Sequence, residues 1–376
     1  MAVSTFRHVR LAGVKTSLPV HTIDIDNELE FFGGSPKKLA RAKKMMGYGR
    51  RYIADENTTV TDLAVDAAKK LMVEMELVPT DIELLIFVNQ KPDYPEPCDA
   101  CIAHGVLGLP KSCATLDINQ GCSGYVQGLW TAHAMISSGG VQNCLLLAGD
   151  LCGRTIDQSN RKLAPVFGDS ASASFLVRTD EERPSTFVLG TDGKGWDRII
   201  HPVGGTRIPC DPETVSLVLE DEAGNAWTHM QGMMKGEDVF RFTMEVAPDL
   251  LRQTMTEAGW STNDVDLFAI HQANKQIVEN IVEKAGLPAE KAPVDVFSKY
   301  ANHSTNSIVT VLCDQAANTE LGKVILCAFG VGLAWSGAAI DISGLHNGGF
   351  TTYIPPANKL DRKQQLEHWI KHFKGE

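Results

Sequence analysis

No run of this 376-residue chain approaches the roughly 18 consecutive apolar residues of a membrane span, so none is expected. An apolar leader is missing as well: Arg7, Arg10 and Lys15 interrupt the stretch from Met1 to Val20, which argues against a secretory signal. Surplus positive charge is absent. At a formal net charge of −11, the composition gives no support to a nucleic-acid surface, which is built from gathered Lys and Arg. Metal-ligand spacing is lacking too, because Cys98 and Cys101 form a lone C-x-x-C with no second pair at zinc-ribbon distance. No metal is expected, and nine cysteines without a paired framework fit a reduced, cytoplasmic setting. Nor does a Gly-x-Gly-x-x-Gly open a helix, so a dinucleotide site has no signature here.

What is present is ordinary in bulk and repetitive in pattern. Hydrophobic residues at 43% and charged residues at 22% are globular values, and the length suits one large α/β unit or two domains. The segment from Asp62 to Asn89 has a helical apolar period followed by the run Leu84 to Val88. The segment from Glu245 to Gln272 repeats that order, with Asp249 answering Asp66 and Asp264-Val265 answering Asp81-Ile82. Further on, Gly108-Leu109-Pro110 precedes Leu116-Asp117-Ile118 as Gly286-Leu287-Pro288 precedes Val294-Asp295-Val296. Each half then enters a helix, from Ser123 and from Ser304, and closes on apolar strands.

Near-continuous apolar strands alternating with helices predict α/β sheets covered on both faces. The reading is an internal duplication: a first half over 1–180, a cap or excursion over 181–240, a second half over 241–345 and a C-terminal extension over 346–376. In the extension, Leu366, Trp369, Ile370 and Phe373 fall on one face of a short helix, which is expected to pack on the body.

Cys122 is the leading chemical candidate. The strand Leu116 to Ile118 runs through Gly121 into Cys122 and then opens a helix, and a thiol at a helix start faces unpaired N–H groups that favour thiolate. The competing reading is a packed apolar cysteine, but flanking small residues and glycines mark a tight turn with close backbone approach. In the second half, His271 directly follows the apolar strand Leu267 to Ile270, at the strand end where α/β folds carry catalytic groups. Asn302 enters the second half's helix as Cys122 enters the first, with His303 and Asn306 as neighbouring competitors and a helix cap as the plainer role. In Phe329-Gly330-Val331-Gly332, the glycines leave backbone N–H groups free to point into a cleft. The N–H groups of Cys122 and Val331 together could hold a thioester oxygen as it becomes an alkoxide, one such donor being worth about 3 kcal/mol.

These strings together resemble one family. Cys122 in Gly-Cys-Ser-Gly-Tyr, His271-Gln-Ala-Asn274, Asn302 before a Ser-rich helix start, Phe167-Gly-Asp169 and Phe329-Gly-Val-Gly332 are similar to β-ketoacyl-acyl carrier protein synthase III and its thiolase-superfamily relatives. The likeness spans about Val3 to Ile342. It implies a thiolase-like, five-layered αβαβα fold of two duplicated halves, usually a homodimer, with no cofactor beyond coenzyme A or phosphopantetheine as substrate carrier. Cys122 would take the acyl group from acyl-CoA or an acyl carrier protein, and His271 with Asn302 would support a Claisen condensation with a malonyl- or β-ketoacyl-type thioester.

Some positions depart from that pattern. Arg41 stands where the primer-condensing enzymes have a tryptophan that stacks on adenine, while Arg161 matches a family arginine near the nucleotide. Lys275, followed by Gln276, occupies a shifted basic position, and Phe329 borders the cleft. Glu96 in Tyr94-Pro-Glu96-Pro resembles the glutamate of head-to-head acyl-condensing relatives, which reaches across the dimer as a proposed base; its plainer reading is a solvated loop acid. Two other functions remain open at this level. One is acyl transfer from Cys122 to an alcohol or amine, the other a non-catalytic subunit of a heterodimeric synthase, which an intact Cys122 argues against.

Overall fold

The structure is a computed structural model and describes residues 1–156, 160–216, 218–220, 226–228, 232–317 and 319–375. Eleven of the strands build two large sheets: β1 (Ala2–Phe6), β2 (Val9–Pro19), β3 (Leu84–Val88), β4 (Ala114–Ile118), β5 (Asn143–Leu151), β6 (Asp169–Arg178), β7 (Ser185–Thr191), β8 (Leu267–Ile270), β9 (Lys323–Gly330), β10 (Ala334–Asp341) and β11 (His346–Tyr353). The helices that matter here are α1 (Pro36–Met46), α2 (Val60–Glu74), α3 (Asp99–Leu107), α4 (Gly124–Ser137), α5 (Gly236–Ala258), α6 (Lys275–Ala285), α7 (Ser307–Gln315) and α8 (Arg362–Lys374).

The first sheet runs β11-β2-β6-β5-β3-β4 and the second β1-β7-β10-β9-β8. Within them the duplication is explicit. The set β2-β6-β5-β3 pairs antiparallel, antiparallel, parallel, and β7-β10-β9-β8 pairs with the same three signs. Local chemistry repeats as well: Asp81 accepts the Val78 N–H at 2.8 Å, and Asp264 accepts that of Ser261 at 2.8 Å. Gly108 and Gly286 both end helices with left-handed backbone, φ +66° and +71°, where glycine costs least.

Alternation along the buried strands sorts the core into layers. Leu84, Ile86 and Val88 turn to a central cluster shared with Val126 and Leu129 of α4, Ile308 and Leu312 of α7, and Leu326 and Ala338 of the second sheet. Leu85 and Phe87 turn the other way onto Leu63 and Leu71 of α2 and Ala103 of α3, while Phe268 and Ile325 meet Leu250 of α5 and Ile281 of α6. The order is therefore helix, sheet, helix, sheet, helix, the five-layered αβαβα arrangement. Each such fully buried Leu or Ile contributes about 2 kcal/mol. The helices start where the sequence caps them, α2 at a Thr59–Asp62 capping box and α6 at Asn274, whose Oδ1 accepts the Ile277 N–H at 2.9 Å.

Four expectations are corrected. The segment 181–240 is more than an excursion: β7 inside it is a central strand of the second sheet, hidden in sequence because Phe187-Val188-Leu189 is a short apolar run in a Gly- and charge-rich stretch. The chain ends also cross over, since β1 pairs with β7 in the second sheet and β11 with β2 in the first. Val294-Asp295-Val296 is not the counterpart strand of Leu116-Asp117-Ile118; a short helix, Val296–Tyr300, begins there, so the second sheet lacks the edge that β4 gives the first. Finally, α8 buries none of its residues, with Leu366 66% and Phe373 83% exposed. Trp369 alone of its apolar face has a ring contact to the body, edge-on to Tyr94 at 6.0 Å between centroids.

Candidate active site

The turns that start the two central helices, α4 and α7, meet each other. Cys122 lies two residues ahead of α4, half-buried, with its Sγ 4.0 Å from Ser304 Oγ of the turn before α7. Gly121 has no room for a side chain, because a Cβ there would fall 2.2 Å from Gln90 Oε1 and 2.3 Å from Val331 Cγ1. Gly330, at the end of β9, is packed onto the thiol itself: a Cβ would lie 2.9 Å from Cys122 Sγ. Absent side chains thus let the strand end close over the sulfur, and the N–H of Val331 hydrogen-bonds to it.

Burial pushes the Cys122 thiol up to about 11, the charge of Asp150 adds to this, and hydrogen bonds from Ser304, the Val331 N–H and its own N–H oppose it. The helix-start advantage read from the sequence is outweighed, because a half-closed pocket removes more hydration from a thiolate than a few donors restore. The resting sulfur is a neutral thiol.

His271 follows β8, and its N–H donates to the Cys327 carbonyl of β9 at 2.8 Å. Its ring stands perpendicular to Phe329, centroids 5.5 Å apart, which joins it through Phe329 and Gly330 to Cys122. Burial pushes the imidazole down to about 4, so it is neutral near pH 7, and its Nδ1 is buried without a hydrogen-bond partner. A neutral ring offers one donor and one acceptor.

Asn302 is buried and pinned by its backbone between the halves: its N–H donates to the Val166 carbonyl at 3.0 Å and its carbonyl accepts the Gly168 N–H at 3.1 Å. This gives Phe167-Gly168-Asp169 a structural role. A Cβ on Gly168 would strike the Tyr300 carbonyl at 2.8 Å, and Asp169, fully buried and pushed up to about 6 by burial, accepts the backbone N–H groups of Ala54 and Arg154. The Asn302 Oδ1 accepts the Ser304 N–H at 2.8 Å, which leaves the Nδ2 group to donate. Flanking it, Ala301 and Ser304 adopt left-handed backbone at φ +66° and +47°, a strain that clusters at functional sites. The competitors turn elsewhere: His303 Nδ1 pairs with Thr310 Oγ1 at 3.0 Å, and Asn306 Nδ2 donates to Ser170 Oγ at 2.8 Å.

Matches to known proteins follow this geometry. The profile for 3-oxoacyl-(acyl-carrier-protein) synthase III matches residues 116–193, and that for the C-terminal part of the same enzyme matches 255–342. A Campylobacter jejuni protein named for 3-oxoacyl-(acyl-carrier-protein) synthase 3 is 35% identical over 350 residues, 93% of this chain and 98% of that one. The chain belongs to the 3-oxoacyl-(acyl-carrier-protein) synthase III family. A Symbiobacterium thermophilum β-ketoacyl-(acyl-carrier-protein) synthase III is 30% identical over 339 residues, 89% of this chain and 98% of that one. The crystal structure of a synthase from Burkholderia xenovorans superimposes with a TM-score of 0.85 at 33% identity, covering 94% of this chain and 99% of the other. The fold is accordingly the thiolase-like fold of synthase III.

Other residues singled out in the sequence are not gathered around the thiol of this synthase III relative. Glu96 and Arg161 are exposed, as is Arg41 on α1. Lys275 begins α6 with its Cβ against Gly47, and its Nζ lies 3.6 Å from Glu279. The sequence reading missed Asp150, the buried carboxylate at the end of β5. It accepts the Gln90 N–H at 3.0 Å and the Thr305 hydroxyl at 2.6 Å, and that hydroxyl also lies 3.2 Å from the Gly121 carbonyl. One first-half acid thus ties the turn that carries Cys122 to the second-half turn that carries Asn302. The available signal was a charge directly after the apolar strand Cys144 to Ala148. Among the described residues no group of His, Cys, Asp and Glu could hold a metal, and no helix is long and apolar enough to cross a membrane.

Proposed function

We propose that this protein is an acyltransferase of the condensing type, with Cys122 as the acyl acceptor. The observation that carries it is the Cys122 thiol, closed over by Gly330 and hydrogen-bonded by the Val331 N–H. An acyl thioester carried on coenzyme A or an acyl carrier protein enters beside Cys122. The thiol proton passes to the neutral His271 or to solvent, the sulfur attacks the carbonyl carbon, and the N–H groups of Cys122 and Val331 hold the oxygen as charge develops. Collapse releases the carrier thiol and leaves acyl-Cys122.

In the second half-reaction, a malonyl-type thioester loses carbon dioxide. The electron pair left behind makes an enolate whose oxygen is held by His271 and the Asn302 Nδ2. Its carbon attacks acyl-Cys122, forming a β-ketoacyl thioester and restoring the cysteine. Donors aimed at one oxygen are sufficient for this, since charge builds at a single atom in each step. In this reading Phe329 borders the path, and Arg161 and Lys275 are assigned to cationic contacts with a nucleotide or phosphopantetheine. Glu96, exposed in one subunit, suits a role at a homodimer's partner site. A cytoplasmic enzyme of fatty-acid-like or specialised metabolite synthesis is the setting we infer.

The test is intact-protein mass after incubation with a panel of acyl-CoA and acyl-carrier thioesters. An added acyl mass that disappears in Cys122→Ala supports the reading, and turnover in that variant should fall by roughly a millionfold, as when a nucleophile is removed outright. No adduct from any donor would overturn it. Adducts that discharge onto alcohols or amines, never onto a malonyl thioester, would move the assignment to simple acyl transfer.

A further inference from the structure

The C-terminal helix plays no part in this chemistry and lies beyond residue 342, where the match to the synthase III profiles ends. Its ends are nevertheless well made: Asp361 and Gln364 form a capping box, and Gly375 closes α8 in left-handed backbone. The approach to it is fixed as well. Lys70 Nζ of α2 donates to Thr351 Oγ1 of β11 at 2.6 Å, and Lys359 in the connector pairs with Asp62 of α2. Yet none of the 13 residues of α8 is buried, and Leu366, Ile370 and Phe373 stand exposed on one face. A helix of that length is marginal in water unless its apolar face is covered. We propose that this face docks on a second copy of the chain.

The place of α8 in the fold is the first argument. Trp369 rests edge-on against Tyr94, and the neighbouring Asp93 N–H donates to the Asp99 carboxylate at the start of α3 at 3.0 Å. The Asp117 carboxylate of β4 accepts the N–H groups of Asp99 and Ala100, both at 2.8 Å. A short chain of contacts thus runs from α8 to β4, the last strand of the first sheet. Among the described residues β4 pairs with β3 alone, and it carries no lysine, no proline and no bulge of the kind that keeps sheet edges apart. Leu116 on β4 and Val106 on α3 are exposed beside it. Such an edge takes up a like strand, and a two-fold axis brings the same patch of each copy together. The helix next to that edge then faces the second copy.

Charge is the second argument. In α8, Arg362, Lys363, Lys371 and Lys374 face only one acid, Glu367, whereas the chain as a whole carries −11. A second copy therefore offers the helix an acidic surface. A basic amphipathic helix also suits an anionic lipid surface, but there the −11 of the attached body opposes the approach. Docking has a local effect, because Trp369 holds Tyr94, two residues from Glu96. A seated α8 clamps the loop that carries Glu96 at the boundary between the copies. The two-fold axis doubles every such contact, so one substitution removes two.

The experiment places the photo-crosslinker p-benzoylphenylalanine at Phe373 of the full-length protein and irradiates it alone and with vesicles of phosphatidylcholine and phosphatidylglycerol. The expected product runs at twice 40.9 kDa on a denaturing gel in both samples, with its peptides mapped by mass to a link between α8 and another copy. Links confined to the same chain, adducts to lipid in place of protein, or no product at all would each overturn the proposal. A second measurement uses Ile370→Glu with Phe373→Glu, exposed positions where the fold of a single chain tolerates charge. The dimer dissociation constant from sedimentation should rise about tenfold or more, with the melting temperature of the dilute monomer unchanged. An unaltered dissociation constant would count against docking as firmly as a missing crosslink. Neither assay reads chemistry at Cys122, so this inference and the condensing reaction can fall separately.

Discussion

The turns that open the two central helices occupy equivalent places in the duplication and are built by opposite means. Before α4, Gly121 and the facing Gly330 make room by omission, and the result is a neutral thiol in a tight backbone pocket. Before α7 there is no glycine. Ala301 and Ser304 instead take left-handed backbone at φ +66° and +47°, and the strain is held by the bonds of Asn302 to Val166, Gly168 and Ser304. In the proposed mechanism one topology thus supplies a nucleophile by close approach and a donor by a clamped polar turn. Duplicated halves can diverge in chemistry while the strand pairing that holds them stays fixed, since the pairing resides in the layers and the chemistry in two short loops.

The contrast can be broken most sharply at Asn302. Asn302→Asp replaces the Nδ2 donor with a charge that repels an enolate. Acylation of Cys122 should persist while condensation falls roughly 100- to 1,000-fold, the cost of one oxyanion donor. Intact mass and product assays on the same sample read both steps, and equal losses in the two would remove the division of labour. On the other side, Gly330→Ala sets a Cβ 2.9 Å from the sulfur. We expect about 1–3 kcal/mol of destabilisation from overpacking, with acylation slowed more than tenfold. Denaturant melts and single-turnover acylation would register these, and an unchanged acylation rate would mean that the close approach is incidental.

The third test concerns the tie between the turns. With the Cys122 thiol near 11, labelling by iodoacetamide should rise about tenfold per pH unit from 7 to 10, because only thiolate reacts. Asp150→Asn keeps the size of the side chain and, at the loss of one of the two accepting oxygens, deletes a charge that holds the thiol up, so the curve should move to lower pH and labelling at pH 8 should increase severalfold. A curve that does not move would remove Asp150 from the thiol's electrostatics. Smallest of all is Ser304→Gly: relief of the φ +47° backbone should leave stability within about 1 kcal/mol, against the larger loss expected where glycine merely loosens a chain. A melt showing a much greater loss would mean that the Ser304 hydroxyl, not the strain, matters there.

Much of the fold was legible because its signals are local. Apolar runs such as Leu84 to Val88 must be covered on both faces, and repeated pairs such as Asp81 with Asp264 or Gly108 with Gly286 mark equivalent turns. The misreadings share one cause. β7, the crossed-over β1 and β11, and the helix at Val296 are decided by which distant strand has a free edge, and no local period encodes that. The face of α8 was legible as apolar, but where it goes depends on surfaces far away in the chain.

The candidate site divides along the same line. Cys122, His271, Asn302 and the glycines of the Phe329 loop were visible as residue types at strand ends and helix starts, where the chain itself forces their exposure to a cleft. The neutral state of the thiol was not visible, because hydration is lost to groups about 180 to 210 residues away such as Ser304 and Gly330, and neither were the partners that hold Asn302, His303 and Asn306, at Val166, Gly168, Thr310 and Ser170. The sequence by itself determined the layers, the duplication and the cast of reactive groups, all properties of short stretches with their own periodicity and turn chemistry. The tertiary structure alone decided which of those groups meet and in what protonation state, because proximity and desolvation are set by packing between segments that the chain brings together only when folded.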